Sequence, residues 1–433
     1  MTYVPATVLG VAVWGRSVGA VALDPSTGFY AFEYDQDWLA SGTELAPLHM
    51  PRRAGVYEFP DLARDTFNGL PAMLADALPD RFGNALVTAW MNDQGIATDQ
   101  ITALDRLAYA GSRAMGALTF APPAGPETGE PSLIQVARLV TAARTALDGT
   151  LRDGRAHDVL ADLITVASSA GGARAKAVIA FNPDTYEMVS GQFEAPDGFE
   201  QWIIKLDGVG DPAALPADPL GDSRPYGRVE YAYYLMARAA GIDMNESLLL
   251  AEGPRAHFMT KRFDRGAGNE RIHVQTLCAL AHLDYRLART HAYASYFVTA
   301  QALGLGPDAA REIFRRALFN VAGVNRDDHT KNASFLLAEH GQWRLAPAYD
   351  MTHSYWSAEW AQSHQMSVNG KFSDISLEDF RIMADRHGVP AIAATIAQVN
   401  EAIDAWPAFA AEAGLDTETR RRIAEDIDRF RPR

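Results

Sequence analysis

Near the amino terminus, hydrophobic positions alternate with polar or small ones in short runs separated by turn clusters. Thr7–Trp14, Ala20–Leu23 and Phe29–Tyr34 read as strands, with Pro25-Ser26-Thr27-Gly28 turning between the last two. From Glu58 to Met91 the spacing becomes helical, carried by Leu62, Phe67, Leu70, Met73, Leu74 and Leu78, and Pro79-Asp80-Arg81-Phe82-Gly83 punctuates it. Leu104–Phe120 ends in the strand-like Ala117-Leu118-Thr119-Phe120. The Pro- and Gly-rich Ala121–Pro131 is the clearest linker.

Leu133–Leu147 is predicted as an amphipathic helix, with Leu133, Val136, Leu139, Val140, Ala143 and Leu147 on one face, and a second helix is predicted at Val159–Val166. Strands follow at Ala177–Phe181 and Trp202–Leu206, then a loop at Asp207–Pro225. Val229–Ala240 reads as a helix stopped by Gly241, and His257–Phe263 as a strand. From Ala279 onward the pattern is mostly helical, at Tyr293–Leu303, Ala309–Val321, Ile392–Trp406 and Thr417–Phe430. One hairpin, Ser334–Leu337 with Trp343–Leu345, turns at His340-Gly341. This order, mixed α/β first and helices last, is shared by two-lobed phosphotransferases and by many unrelated α+β proteins, so order alone assigns no function.

Composition narrows the classes. The 433 residues are 48% hydrophobic and 21% charged, a globular balance with length enough for two or three domains. A net charge of −15 opposes binding to phosphate backbones by the surface as a whole. The single cysteine, Cys278, excludes an intrachain disulfide and a cysteine zinc site. No window approaches the ~20 apolar residues of a membrane span. The apolar run Ala6–Trp14 lacks a preceding Lys or Arg and is followed by Arg16, so it reads as a strand and not a signal peptide, with the cytoplasm as the expected location.

The densest chemistry lies in Asn325-Arg326-Asp327-Asp328-His329-Thr330-Lys331-Asn332 and in Tyr349-Asp350-Met351. Phosphoryl transfer needs a carboxylate beside the attacking hydroxyl, oxygen ligands for Mg²⁺ and cations over the phosphates. Asp327 and Asn332 stand five apart, the offset of the catalytic Asp and metal-binding Asn in a protein-kinase loop, and Asp350 follows the predicted hairpin. Asp328 offers the same carboxylate one residue on, and position along the chain does not separate the two. His329 and His353 lack zinc-like spacing and read as hydrogen-bonding residues. Ser168-Ser169-Ala170-Gly171-Gly172-Ala173-Arg174-Ala175-Lys176 is a small-residue loop ending in cations, able to present backbone N–H groups to phosphate, although it matches neither the Walker nor the dinucleotide pattern. Lys205, inside the apolar run Trp202-Ile203-Ile204-Lys205-Leu206, is either a phosphate-binding strand lysine with Glu230 as partner or a strand-edge lysine.

Together these segments resemble the HipA-like serine/threonine kinases, the toxin component of bacterial toxin–antitoxin modules. Ser169–Lys176 is similar to that family's Ser-x-Gly-Gly-Ala-Arg-Pro-Lys loop, with Ala175 in place of proline. Trp202–Gly208 resembles its lysine strand, Phe258–Arg265 its hinge and Arg271–Gln275 the segment after it. Asn325–Asn332 with Pro347–Asp350 matches its catalytic and metal segments, and Gly28–Leu39, Phe67–Phe82 and Leu107–Phe120 match its amino-terminal subdomain. The resemblance implies an α+β, bilobal protein-kinase-like fold. Residues 1–125 would form a β-rich amino-terminal subdomain, 126–263 an α/β N-lobe, and 264–433 a mostly helical C-lobe.

The resemblance also implies ATP and Mg²⁺ as cofactors. Asp327 would be the catalytic base, and Asn332 and Asp350 the metal ligands. The nucleotide set would be Ser169, Ala170, Gly171, Gly172, Ala173, Arg174, Lys176 and Lys205, the backbone from Lys261 to Phe263, and His329 and Lys331. Ser169 would be autophosphorylated, with Ser168 as second choice. The implied partners are a protein substrate, such as an aminoacyl-tRNA synthetase, and a small helix-turn-helix antitoxin through which contact with DNA is indirect, with no membrane partner. The rival readings are a non-toxic kinase with another target, a nucleotide-binding pseudokinase or scaffold, and a DNA reader. The last is opposed by the net charge and by the lack of a basic recognition helix.

Overall fold

The period-two pattern near the amino terminus becomes a sheet. The computed structural model describes residues 6–125, 133–134, 136, 138–140, 143, 174–192, 194–210, 225–253, 255–355 and 359–433. In β1 (Val8–Val13), Leu9, Val11 and Val13 are buried while Val8 is exposed. With β2 (Arg16–Asp24), β3 (Phe29–Tyr34), β4 (Val56–Tyr57) and β5 (Leu118–Ala121) it forms an antiparallel sheet of order β4-β3-β2-β1-β5. Trp14 and Gly15 both take positive φ (49° and 72°) between the paired Val13 and Arg16. Such two-residue loops match the twist of antiparallel strands, so β2 starts earlier than the predicted Ala20. The left-handed backbone is costly for tryptophan, and the Trp14 indole donates to the Arg271 carbonyl at 2.7 Å. Gly19 is required where β2 meets β3, because a Cβ there would lie 2.1 Å from the Glu33 carbonyl oxygen.

The described residues fall into two units. The first lies within 1–215, 259–274 and 338–340; the second lies within 216–258, 275–337 and 341–433.

In the first unit the predicted helical stretch Glu58–Met91 is broken. Arg64–Phe67 and Ala72–Ala75 are single turns, because Asn68 and Gly69 take positive φ and Pro71 follows. Only Arg81–Asp93 is a long helix, capped by Asp80, which accepts from the Gly83 N–H at 2.7 Å. β6 (Arg174–Phe181), β7 (Met188–Ser190) and β8 (Glu200–Gly210) pair in the antiparallel order β7-β6-β8. Within the predicted helix Leu133–Leu147, positions 136, 138–140 and 143 are helical, with Leu139, Val140 and Ala143 buried, but Leu133 is exposed and bridges antiparallel to Val189 and Ile134 is not helical, so the helix starts later than predicted. Val159–Val166 and the loop Ser168–Ala173 lie outside the described residues.

A buried ionic knot ties the amino-terminal sheet region to residues 262–271. Asp264 accepts two bonds from Arg262 (2.8 and 2.7 Å), one from Arg265 (2.7 Å) and one from the Gly116 N–H (2.8 Å). Arg271 donates to the carbonyls of Ser112, Ala114, Gly116 and Leu118. Burial alone would raise the Asp264 carboxyl, but the two guanidiniums hold it well below the usual carboxylate range. A depressed folded pKa gives stability that is present above the unfolded value, near 4, and is lost as pH falls through the folded one. Asp264→Asn is therefore expected to cost about 3 kcal/mol at neutral pH and to remove that part of the acid destabilisation. Denaturant unfolding of both proteins at neutral pH and below pH 4 checks this; equal midpoints at neutral pH would contradict it.

In the second unit the central helix Pro307–Ala322 starts on proline at its first turn and buries Ile313, Phe314, Ala317, Leu318 and Phe319. Around it pack the helix Tyr226–Ala239, through Tyr233 against Phe319 and Trp406, and the helix Leu377–His387, through Phe380 against Phe314. Tyr293–Ala302, Thr417–Phe430 and the hairpin Ser334–Leu337 with Trp343–Leu345 match the predicted elements closely. The predicted helix Ile392–Trp406 ends at Asp404, and a new helix, Trp406–Glu412, carries Pro407 in its first turn. Among the described residues no helix is long and apolar enough to cross a membrane.

Candidate active site

In the second unit, the central helix ends at Gly323 and the chain turns sharply. Val324 adopts φ 58° while fully buried. A β-branched residue in the left-handed region is strained, and such strain is held only where the surroundings fix it. Here they do: the Val324 carbonyl accepts from the Ser354 N–H at 3.0 Å, and the Asn325 N–H donates to the Asn320 carbonyl at 2.8 Å.

This turn delivers the Asp327-Asp328 pair, and the two carboxylates have opposite environments. The Asp328 side chain is 0% exposed. It accepts from the Tyr293 hydroxyl (2.8 Å) and the Gln365 N–H (2.8 Å), and contacts His364 Nδ1 at 3.0 Å. Tyr293 in turn accepts from Asn320 Nδ2 at 3.0 Å, and Asn320 Oδ1 accepts from Asn325 Nδ2 at 2.9 Å. Asp328 is thus the anchor of a buried network that closes back on the loop. The Asp327 side chain is 43% exposed and stands 3.6 Å from His329 Nε2.

Asn332 Nδ2 donates to the Asp327 carbonyl at 2.9 Å, which turns its amide oxygen the other way. The Asn332 N–H donates to the His329 carbonyl at 2.9 Å and closes the tight turn Thr330–Asn332, to which the Asn332 side chain ties the Asp327 carbonyl. Asp350 also takes a left-handed backbone, φ 53°, and its carbonyl lies 3.5 Å from Asn325 Nδ2. His329 lies 5.1 Å from the Tyr285 ring and Lys331 Nζ 5.4 Å from it. His329 Nδ1 is buried without a hydrogen-bond partner among the described residues. Arg326, buried behind the loop, sits over the Tyr355 and Phe430 rings at 4.6 and 4.2 Å and donates to the Gln362 carbonyl at 2.6 Å.

The donor set suits a hard cation. Asn332 and Asp350 offer amide and carboxylate oxygens, and no group of three or more His, Cys, Asp or Glu able to hold a metal occurs among the described residues. Mg²⁺ binds through one or two carboxylates with water and phosphate completing the octahedron, so two protein ligands fit it.

In the first unit, Lys176 and Lys205 are directly opposite each other on β6 and β8, which puts both side chains on one face. That juxtaposition of like charges is relieved at Lys176, which is buried 3.6 Å from Asp80. Lys205 lies on the partly exposed edge of the alternation, while Trp202, Ile204 and Leu206 fill the buried face. Lys261 pairs with Glu200 at 2.6 Å, and Phe263 is half-buried. Glu230 belongs to the second unit, buried on the helix Tyr226–Ala239. Of the Gly-rich loop, Ser168, Ser169, Ala170, Gly171, Gly172 and Ala173 lie outside the described residues, and Arg174 is described only as the first residue of β6.

Two features escaped the sequence reading. Asp80 was read only as part of the punctuating segment Pro79–Gly83, and nothing in the sequence marked it as a helix cap or as the Lys176 partner. The Asp328 anchors Tyr293, His364 and Gln365 carry no local signature, because they converge from distant segments.

Comparison with known proteins settles the lineage. Residues 168–427 match the HipA-like C-terminal domain and residues 9–121 the HipA N-terminal domain. The chain belongs to the HipA-like family. It is also similar to the HipA of Shewanella oneidensis MR-1, solved in a complex with HipB and operator DNA, with a TM-score of 0.67 and 18% identity, covering 98% of this chain and 97% of that one. The Helicobacter pylori proinflammatory kinase CtkA overlaps 51% of this chain and 94% of its own at 12% identity, with a TM-score of only 0.29. No curated protein sequence matches the chain significantly. The α+β, protein-kinase-like fold expected from the sequence is thus the HipA fold, β-rich first and helical last.

Proposed function

We propose that this HipA-like protein is an ATP- and Mg²⁺-dependent serine/threonine protein kinase. The observation that carries the reading is the Asp327–Asn332 turn, in which one carboxylate is locked into the core and its neighbour is left open to solvent. In the proposed step Asp327 takes the proton of an acceptor Ser or Thr hydroxyl and the freed oxygen attacks the γ-phosphorus. The bond to the β–γ bridging oxygen breaks, and ADP leaves with that electron pair. Asn332 and Asp350 would hold Mg²⁺, which when bound neutralises phosphate charge. Lys205 and the Gly-rich loop through Lys176 would cover the phosphates, with His329 and Lys331 alongside, and the Lys261–Phe263 backbone would meet the adenine.

The proposed targets are a protein of the translation machinery, such as an aminoacyl-tRNA synthetase, and the chain's own Ser169, with Ser168 the alternative. A phosphate there adds about −1.5 to −2 charges and repels the nucleotide. A small helix-turn-helix antitoxin is the proposed partner, supported by the HipB–DNA complex of the Shewanella relative. The −15 charge makes any DNA contact run through that partner. Calorimetry of ATP binding with and without Mg²⁺ tests the site. Asp350→Ala and Lys205→Ala are each expected to weaken Mg·ATP binding by about tenfold or more. Tight binding that ignores Mg²⁺ and survives Lys205→Ala would refute the assignment.

A further inference from the structure

Asn332 and Asp350, the two residues assigned to Mg²⁺, lie on different stretches of chain, separated by the hairpin Ser334–Leu337 with Trp343–Leu345. Two protein ligands serve one cation only while their spacing is held by the groups behind them. Backbone bonds carry that spacing part of the way. The Ala346 N–H donates to the Ser334 carbonyl at 2.9 Å, and the Ala348 N–H to the Asp243 carbonyl at 2.7 Å. Asp350 then turns into the left-handed region at φ 53°. Aspartate tolerates that region better than most residues, yet it needs fixed neighbours to stay there.

The Tyr349 side chain supplies a cross-tie. Its hydroxyl donates to the Lys331 carbonyl at 2.8 Å, and the Ser334 hydroxyl lies 2.5 Å from the same phenol oxygen. A phenol carries one proton, so with that proton given to Lys331 the Ser334 hydroxyl is the donor of the second bond. The two contacts fall on either side of Asn332: Lys331 precedes it, and Ser334 follows two residues later. Ser334 is only 2% exposed, where an unmade hydroxyl bond is costly. Asn332 Nδ2 is itself committed to the Asp327 carbonyl. The residue next to one metal ligand is therefore bonded across to both flanks of the other.

We infer that Tyr349 is a positioning residue for the metal site, its hydroxyl setting the Asp350 carboxylate against the Asn332 amide oxygen. The inference rests on the proposed Mg²⁺-dependent nucleotide site and deepens it. Tyr349 is half-buried, and Tyr349→Phe keeps the ring while removing only the oxygen that makes both bonds.

The test is calorimetry of the full chain with adenylyl imidodiphosphate, an ATP analogue that is not transferred, in saturating Mg²⁺ and again in EDTA. The ratio of the two affinities measures what the cation contributes. In Tyr349→Phe that ratio is expected to fall about tenfold, the scale of losing a group that orients a metal ligand, while affinity in EDTA stays within about twofold of wild type. Ser334→Ala strips one of the two bonds and gives an independent second reading, a smaller fall in the same direction. In an Asp350→Ala background the ratio is already low, and adding Tyr349→Phe is expected to lower it no further. A ratio unchanged from wild type in Tyr349→Phe overturns the inference. Equal loss of affinity in Mg²⁺ and in EDTA also overturns it, because Tyr349 would then be a nucleotide contact or a purely structural residue. A wild-type chain with the same affinity in both conditions overturns the proposed metal site itself, and this inference with it.

Discussion

Asp327→Ala is expected to reduce phosphoryl transfer by about a thousandfold while leaving the protein folded and able to bind Mg·ATP. The magnitude is that of removing a positioned proton acceptor, a loss felt mainly in the transition state. The fold survives for two reasons. The side chain is 43% exposed, where substitutions ordinarily shift stability by no more than about 0.5 kcal/mol. The bond that shapes the turn runs from Asn332 to the Asp327 backbone carbonyl, which alanine keeps. Rates measured with γ-labelled ATP, beside calorimetric ATP affinity, check both halves. A variant that transfers phosphate at the wild-type rate would remove Asp327 from the mechanism.

Asp328→Ala is expected to fail in the opposite way, losing about 3–5 kcal/mol of folding stability. Its carboxylate is fully buried, and its removal strands the Tyr293 hydroxyl, the Gln365 N–H and His364 together in the core. Those groups cannot reach water, so the cost is the desolvation of several polar atoms and not one hydrogen bond. Because Tyr293 links through Asn320 to Asn325, the loop carrying Asp327 is loosened at the same time. Denaturant unfolding measures the loss. A midpoint near wild type combined with complete loss of transfer would mean that the roles of the two aspartates are reversed.

The two substitutions also show what the sequence made legible. The spacing of Asp327 and Asn332 and the hairpin before Asp350 are local facts, so the candidate chemistry was readable from the chain alone. What distinguishes Asp327 from Asp328 is burial, and that depends on Tyr293 and His364, tens of residues away on either side. Helices with regular apolar spacing, such as Thr417–Phe430, were legible to the residue. Where spacing competed with backbone chemistry it misled: Asn68, Gly69 and Pro71 cut the predicted Glu58–Met91 helix, and Pro407 divided another. The strand Ser247–Glu252 went unread because its burial does not alternate. Lys205 was left between two readings by sequence, and its register opposite Lys176 is a pairing that only the sheet provides.

The central claim is that this chain transfers the γ-phosphoryl group of ATP through Asp327. Intact-mass and peptide-mapping mass spectrometry after incubation with Mg·ATP tests it most directly, with Asp327→Ala as the paired control. The account predicts a phosphoryl group on the wild-type protein, mapped to Ser169 or to its neighbour Ser168, and none on the control. An unmodified wild-type protein that binds Mg·ATP and phosphorylates no protein substrate, or equal modification of both proteins, would contradict it.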